Sequence, residues 1–336
     1  MRTNVGIRDV ARAAGVSVGT VSNALNYPDQ VSAKTLAKVQ QTMLVLGFVR
    51  NDLARQLRMG RGTAIGVVVV NLANPFFADL AHELEAAAEA AGNTIVLGSS
   101  DQNAAREERY IDLFDEQRVR GLLIVPQRGL TPRLNRLRTS GTPVVLFDGN
   151  INSTEVCSVG LDGAAGGYLA VRHLVESGRK RLVVAGGPLS QVGDRVSGAA
   201  RAAQETPGVS LSIIETDDLT VEEGRHVAER LLSLPAEDRP DGVFAANDLL
   251  AIGLVQTLIL DRTLSIPGDI AIVGYDDIDF AASTVVPLTT IRQPREALAK
   301  AALELLEQEI AGDENHAHGQ HLLQPELIVR ASSVLR

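Results

Sequence analysis

The sequence predicts a small all-α head over roughly its first sixty residues, followed by a large α/β body of two similar lobes built on parallel sheets. Three observations carry this. Basic charge is concentrated at the N-terminal end, apolar residues recur there at helical spacing, and from residue 63 onward apolar strands alternate with amphipathic helices.

At 336 residues the chain can bury more than one core. Its 45% hydrophobic and 22% charged residues are the balance of a globular protein, with no low-complexity tract. No apolar run approaches the ~20 residues of a membrane span, and residues 1–15 lack the apolar core of a signal peptide, so a cytoplasmic protein with no membrane partner is expected. The single cysteine, Cys157, has no partner for an internal disulfide and is read as a small buried hydrophobe. Net charge is −9, but residues 1–62 hold nine basic and three acidic side chains, a balance of +6, which leaves −15 on the rest. A basic head on an acidic body confines contact with phosphates to one end.

In the head, Ile7, Val10, Ala11 and Ala14 mark one face of a short helix that Gly15 ends. Ser17 is a natural N-cap for a second, with Val18, Val21, Ala24 and Leu25 as its apolar face. A third opens at Ser32, runs through Leu36, Val39, Met43 and Leu46, and stops at Gly47. Two helices across a three-residue turn form a helix-turn-helix, whose second helix enters the major groove of DNA. Its polar face carries Ser17, Thr20, Ser22 and Asn23. Ser17, Thr20, Ser22 and Asn26 suit phosphate and register contacts.

In the body, strand 64–70, helix 75–91, strand 94–98, helix 104–118 and strand 121–125 make a βαβαβ run, continued by strand 144–147. The series then restarts with helix 163–177, strand 181–186, helices 194–204 and 221–234, strand 242–246, helix 248–261 and strand 270–275. Near-continuous apolar strands imply parallel sheets covered on both faces. Ligands of such sheets bind beyond the carboxyl ends of the strands, which points to a cleft between the lobes.

Specific motifs lie on this frame: IRDVARAAGVSVGTVSNALN (7–26), VSAKTLAKV (31–39), NDLARQLRMGR (51–61), IGVVVVNLANPFFADL (65–80), AANDLLAIG (245–253), VGYDDIDF and PLTTIRQP. Through them nearly the whole chain resembles the LacI/GalR family of bacterial transcription repressors. The resemblance implies a homodimer on a pseudo-palindromic double-stranded operator and a periplasmic-binding-protein-like body. It also implies three regions: a helix-turn-helix domain over 1–48, a hinge helix and linker over 49–62, and an effector-binding and dimerisation domain over 63–336. Within that last domain the proximal lobe would combine 63–160 with 292–320, and the distal lobe 161–291 with 321–336. The C-terminal VRASSVLR carries no heptad tail, so a dimer is the expected assembly.

The same resemblance assigns base contacts to Val18, Gly19 and Asn23. Asn23 can present a donor and an acceptor to adenine, Val18 only an apolar contact to a thymine methyl, and Gly19 no side chain. In the hinge, Leu57 would wedge into a base step while Ala54 allows the paired helices to approach. Effector contacts fall on Asp148, Arg195, Asn247 and Asp276 at strand ends, and carboxylates with an arginine suit a sugar-like polyol. Asp277 is read as structural. Leu219 stands where relatives often carry an aromatic ring for stacking, and Phe76 and Phe77 can substitute from the other lobe.

No enzyme is expected, since the chain lacks a GxSxG elbow, a Walker loop and paired metal cysteines. No cofactor or metal is expected either, and His316, His318 and His321 are read as an exposed loop. The alternative is a sugar-binding protein with a non-regulatory role, which the N-terminal pattern opposes.

Overall fold

The computed structural model describes residues 5–48, 62–147, 153–312 and 316–334. The chain divides into two compact units, Met1–Gly62 and Thr63–Arg336, each taken by itself below.

The first unit contains α1 (Ile7–Ala14), α2 (Val18–Asn26) and α3 (Ala33–Leu46). Gly15 and Gly47 both close their helices in the left-handed conformation at φ 62°, as a C-terminal stop requires. Ser17 Oγ accepts from Thr20 N at 3.0 Å and Ser32 Oγ from Thr35 N at 3.3 Å, so both predicted caps are made. Val10, Ala11, Ala14, Val21 and Val39 form the core. Val18 is not part of it. That residue, read as belonging to the apolar face, is 44% exposed, because the N-terminal turn of α2 projects beyond the helix packing.

The second unit opens with β1 (Ala64–Val69), α4 (Pro75–Ala90), β2 (Thr94–Ser99), α5 (Ala104–Glu116), β3 (Gly121–Ile124), α6 (Pro132–Thr139), β4 (Val144–Phe147) and β5 (Cys157–Leu161). There follow α7 (Gly163–Glu176), β6 (Arg181–Ala185), α8 (Leu189–Gln204), β7 (Ser210–Ile214), α9 (Val221–Leu232), β8 (Gly242–Ala245), α10 (Asp248–Asp261), β9 (Ala271–Asp276), α11 (Asp279–Ser283) and β10 (Thr289–Arg292). Last come α12 (Arg295–Ala311), β11 (Gln320–Leu323) and β12 (Glu326–Ile328).

Two six-stranded sheets result, in the orders β11-β5-β4-β3-β1-β2 and β12-β10-β9-β8-β6-β7. All pairings are parallel except β10 with β12. Both lobes are wound alike: the chain steps from β1 to β2 on one side and then returns to β3 on the other, and β6, β7 and β8 repeat the move. Each sheet therefore has a switch point, over β1/β3 and over β6/β8, where adjacent connections leave in opposite directions and open a crevice.

Alternation along the strands assigns the faces. In the first lobe Ile65, Val67 and Leu123 pack with Leu80, Leu84 and Leu306, while Val68, Leu122 and Leu146 pack with Ile111 and Phe114. In the second, Val183, Val243 and Ile272 face α9 and α10, while Val184, Phe244 and Val273 face α7 and α8. Burying one such large side chain contributes roughly 1.5–3 kcal/mol.

The lobes exchange chain later than expected. Arg292 still pairs with Asp276 in the second sheet, so the crossing begins at Gln293, and 320–323 pair with β5, so the return comes after Leu323 rather than at 321. The short edge strands and α6 carry too little periodicity to stand out in sequence. Helix α8 starts at Leu189, a turn earlier than the 194 read from the Gly-Pro-rich stretch before it.

Helices α7 and α8 cross with almost no side chain between them. A Cβ added at Gly198 would lie 1.8 Å from the Ala164 carbonyl oxygen, and one at Gly167 equally close to that of Arg195. Gly198→Ala should therefore cost about 1–3 kcal/mol or more and lower the thermal midpoint of unfolding. Gly193→Ala on the same helix meets nothing within 4 Å and should be neutral or stabilising by the ordinary helix preference for alanine. Equal melting of the two variants would contradict the close-crossing account.

Candidate functional site

Two surfaces collect the residues singled out from the sequence. On the first unit, Ser17, Val18, Gly19, Asn23 and Asn26 are exposed along one side of α2, with Thr20 and Ser22 half-buried between them. Ser17 is engaged as the cap, also lying 2.9 Å from Thr20 Oγ1, and Asn26 Nδ2 donates to Ser22 O at 2.8 Å. Asn23 projects from the middle of this face. A side chain at Gly19 would meet only Ser17 Oγ at 3.6 Å, so the helix would tolerate one there and its absence leaves a smooth surface. Ala54 and Leu57 lie outside the described residues, as does Asp148 of the body.

In the second unit a cavity of about 490 Å³ opens between the lobes, over both switch points. Phe76, Phe77, Arg195, Leu219, Asn247 and Asp276 all line it. Phe76 and Phe77 meet edge to face, with ring centroids 5.2 Å apart, at the start of α4. Asn74 caps that helix, its Oδ1 accepting from Phe76 N at 3.0 Å, and Pro75 occupies the first turn.

The polar wall comes from the second lobe. Asp276 ends β9 with φ 116° and Asp277 follows at φ 54°, a backbone course that L-residues rarely adopt. It turns the two carboxylates in opposite directions. Asp276, 3% exposed, accepts from Gln293 Nε2 at 2.5 Å and from Asn74, with the Arg195 charge nearby. Asp277 pairs instead with Arg292 Nε and Arg330, each at 2.7 Å, which is a structural role. Arg195 donates to the Ala246 carbonyl and its guanidinium lies 3.8 Å above the Tyr275 ring. Burial pushes the Tyr275 hydroxyl up to about 12.

Asn247 is largely consumed by the fold. Its Oδ1 caps α10 by accepting from Leu250 N at 2.9 Å, and its Nδ2 donates to the Leu219 carbonyl at 3.0 Å. One N–H and one lone pair remain for anything in the cleft. Asp248 beside it is wholly buried and accepts from Thr290 Oγ1 at 2.6 Å and Ile278 N at 2.9 Å. Burial, with Asp276 next in weight, raises its pKa well above the usual range.

Sequence reading missed several lining residues, among them Asn74, Gln127, Gln191 and Gln293. Gln127 follows β3, held by a backbone bond to the buried Glu107 carboxylate at 2.8 Å and a side-chain bond to Ser100 at 3.1 Å. Burial raises the Glu107 pKa. Gln102 of the first lobe bridges to the second, donating to Asp218 at 2.8 Å and accepting from Gln191 at 2.9 Å. The motifs held Asn74 and Gln293 in plain view, within NPFF and RQP. Their direction depends on Asp276, which is remote in sequence.

Parts of both units match known protein families. Residues 6–51 match the model of bacterial regulatory proteins of the lacI family, and residues 171–333 that of a periplasmic binding protein-like domain. The HTH-type transcriptional repressor PurR of Photobacterium profundum is 32% identical over 97% of this chain and 98% of its own length. The chain belongs to the LacI family.

Two solved structures extend the likeness. The lac repressor dimer bound to operator and the anti-inducer ONPF superposes with a TM-score of 0.83 at 26% identity, covering 99% of this chain and all of that one. A complex of the transcriptional regulator CelR with cellobiose gives 0.71 at 28%, covering 98% of this chain and 99% of that one. As a LacI-family member the chain is a DNA-binding transcriptional repressor with an effector-binding domain, and not an enzyme. Among the described residues no helix is long and apolar enough to cross a membrane.

Burial pushes the Asp276 carboxyl up to about 6, against the opposing pull of Arg195, Gln293 and Asn74. Between roughly pH 4 and 6 the folded chain keeps a proton that the unfolded chain has lost, so stability from this group is present at low pH and lost as pH rises through 6. Asp276→Asn should remove that dependence, gaining about 2–3 kcal/mol on wild type between pH 4 and 7. Thermal melts of both chains across this range check it, and parallel curves would contradict it.

Proposed function

We propose that the chain is a homodimeric, operator-binding repressor whose affinity for DNA is set by a small carbohydrate-like effector in the cleft between the lobes. The observation that carries the ligand reading is the cleft's two-sided chemistry. Phe76 and Phe77 offer apolar faces from one lobe, and Arg195, Asn247 and Asp276 offer donors and acceptors from the other. Sugars present the same division, with C–H faces and a rim of hydroxyls. Arg195 balances the charge of Asp276, which favours an uncharged polyol over a strongly ionic ligand. Leu219 gives an apolar wall where a stacking ring would otherwise stand. The cavity, at about 490 Å³, is of a size to enclose a small ligand. The cellobiose complex of the CelR relative supports the same ligand class.

For the head, the exposed face of α2 supports major-groove reading with few base-specific side chains. Asn23 would recognise adenine, Val18 would touch a thymine methyl, and Ser17, Thr20, Ser22 and Asn26 would fix register on phosphates. The operator-bound dimer of the lac repressor supports a two-fold arrangement. An effector alters DNA affinity only through unequal affinity for two lobe arrangements. The Gln102 bridge to Asp218 and Gln191 is a contact that lobe movement would make or break.

On an operator selected from random DNA, Asn23→Ala should lose about 1–3 kcal/mol and relax choice at one base in each half-site. Mobility shifts at fixed salt measure this, and unchanged discrimination would remove Asn23 from base reading. For the cleft, a thermal-shift panel of sugars, sugar phosphates and nucleosides should pick out a sugar that raises the midpoint of unfolding. Arg195→Ala should then weaken that sugar by roughly 10–100-fold, the loss of a charged hydrogen-bond donor. Stabilisation by nucleosides alone would overturn the carbohydrate reading.

A further inference from the structure

At the far end of the first sheet from the cleft, four side chains from three parts of the chain converge. Cys157 opens β5, Glu309 lies in the last turn of α12, and His316 and His318 precede β11. The parallel pairing of Ser158 with Gln320, and the bond from Ser158 N to the Gly319 carbonyl at 3.0 Å, bring the histidine segment alongside Cys157. The expectation that these histidines form an exposed loop is corrected: His316 and His318 are 14% and 25% exposed, because α12 and β5 cover them. His321 alone of the three remains exposed.

Cys157 Sγ lies 3.1 Å from His316 Nε2 and 3.8 Å from His318 Nδ1, while Glu309 Oε1 lies 3.5 Å and 2.7 Å from the same two nitrogens. All four atoms fall within 4.8 Å of one another. Zinc bonds of ~2.0–2.3 Å set at tetrahedral angles place neighbouring ligand atoms about 3.3–3.8 Å apart, the range around which these separations scatter. The two rings stand at 82° to each other with centroids 5.2 Å apart. Glu309 Oε1 is buried and, among the described residues, receives no hydrogen bond of acceptable geometry from His318 Nδ1 although that nitrogen is so near, while the Cys157 thiol is placed to bond the Glu309 side chain. A buried carboxylate oxygen close to a ring nitrogen without a bonding angle is poorly explained as part of a hydrogen-bond network.

We propose that Cys157, Glu309, His316 and His318 form a binding site for a tetrahedral transition-metal cation of the zinc class. A thiolate, two imidazoles and one carboxylate are the donor types such ions select, whereas magnesium and calcium require more oxygen ligands. The bound cation would tie the end of α12 and the start of β11 to β5. It would not touch the effector, because β5 reaches the cleft only through Val159, Gly160 and Leu161.

The test uses the full chain, stripped with a chelator and kept reduced. Addition of Co²⁺ should give the intense visible bands of a tetrahedral centre and a near-ultraviolet thiolate-to-cobalt band, both abolished by stoichiometric Zn²⁺. Cys157→Ser should lose the thiolate band, His318→Ala should lose tight Zn²⁺ binding in equilibrium dialysis, and His321→Ala should retain both. Zn²⁺ should also raise the melting temperature of the wild type. Absence of the cobalt bands in the folded wild-type chain would overturn the proposal, as would Zn²⁺ binding unchanged by Cys157→Ser and His318→Ala. The wild-type spectrum decides even where a variant fails to fold.

Discussion

Asp276 is a carboxylate buried at the end of a strand, and much of the cleft is arranged around the cost of burying it. A charge removed from water costs several kcal/mol unless neighbours are placed to replace the hydration it gives up. Here those neighbours come from every part of the second unit: Asn74 from the first lobe, Arg195 from the second, and Gln293 from the segment that crosses between them. Each is fixed by another duty. Asn74 caps α4, Arg195 is held by the Ala246 carbonyl and the Tyr275 ring, and Gln293 follows directly on the last residue of β10. The unusual backbone at Asp276 and Asp277 is the local cost of sending one carboxylate into the cleft and the other to Arg292 and Arg330.

That node can exist only where strands from both lobes end together, which is a matter of winding. Because each sheet reverses direction after its first strand, crevices open over β1/β3 and β6/β8, and the loops there carry most of the polar lining. The glycine crossing of α7 and α8 brings Arg195 close behind β9. An apolar sheet supplies stability, and the loops at its carboxyl ends, freed from that duty, carry the chemistry.

The head and the alternating body were legible in the sequence because local signals decide them. Ser17, Ser32, Gly15 and Gly47 punctuate the head by capping chemistry alone, and buried parallel strands announce themselves as apolar runs. Arg195, Asn247 and Asp276 were found from motifs, and the structure brings all three to one cavity. What remained hidden depends on contacts distant in sequence. The bond from Asn247 Nδ2 to the Leu219 carbonyl needs Leu219 beside it, and the role of Gln293 needs Asp276. Helical spacing put Val18 on the apolar face while the family motif put it at a base edge, and its exposure at the first turn of α2 follows the motif rather than the spacing. The histidines near the C-terminus stood out, but Cys157 lies more than a hundred and fifty residues before Glu309, and only the pairing of β5 with β11 brings it to them.

In the proposed function the DNA-reading face and the ligand cleft are joined by thermodynamic linkage, and linkage is reciprocal: whatever factor the effector imposes on operator affinity, the operator must impose on effector affinity. The most direct measurement is therefore calorimetric titration of the stabilising sugar into the full chain, free and saturated with operator, beside operator titrations with and without that sugar. Both pairs of dissociation constants should change, and by the same factor. A sugar that binds the free and operator-bound chain with equal affinity would contradict the linkage.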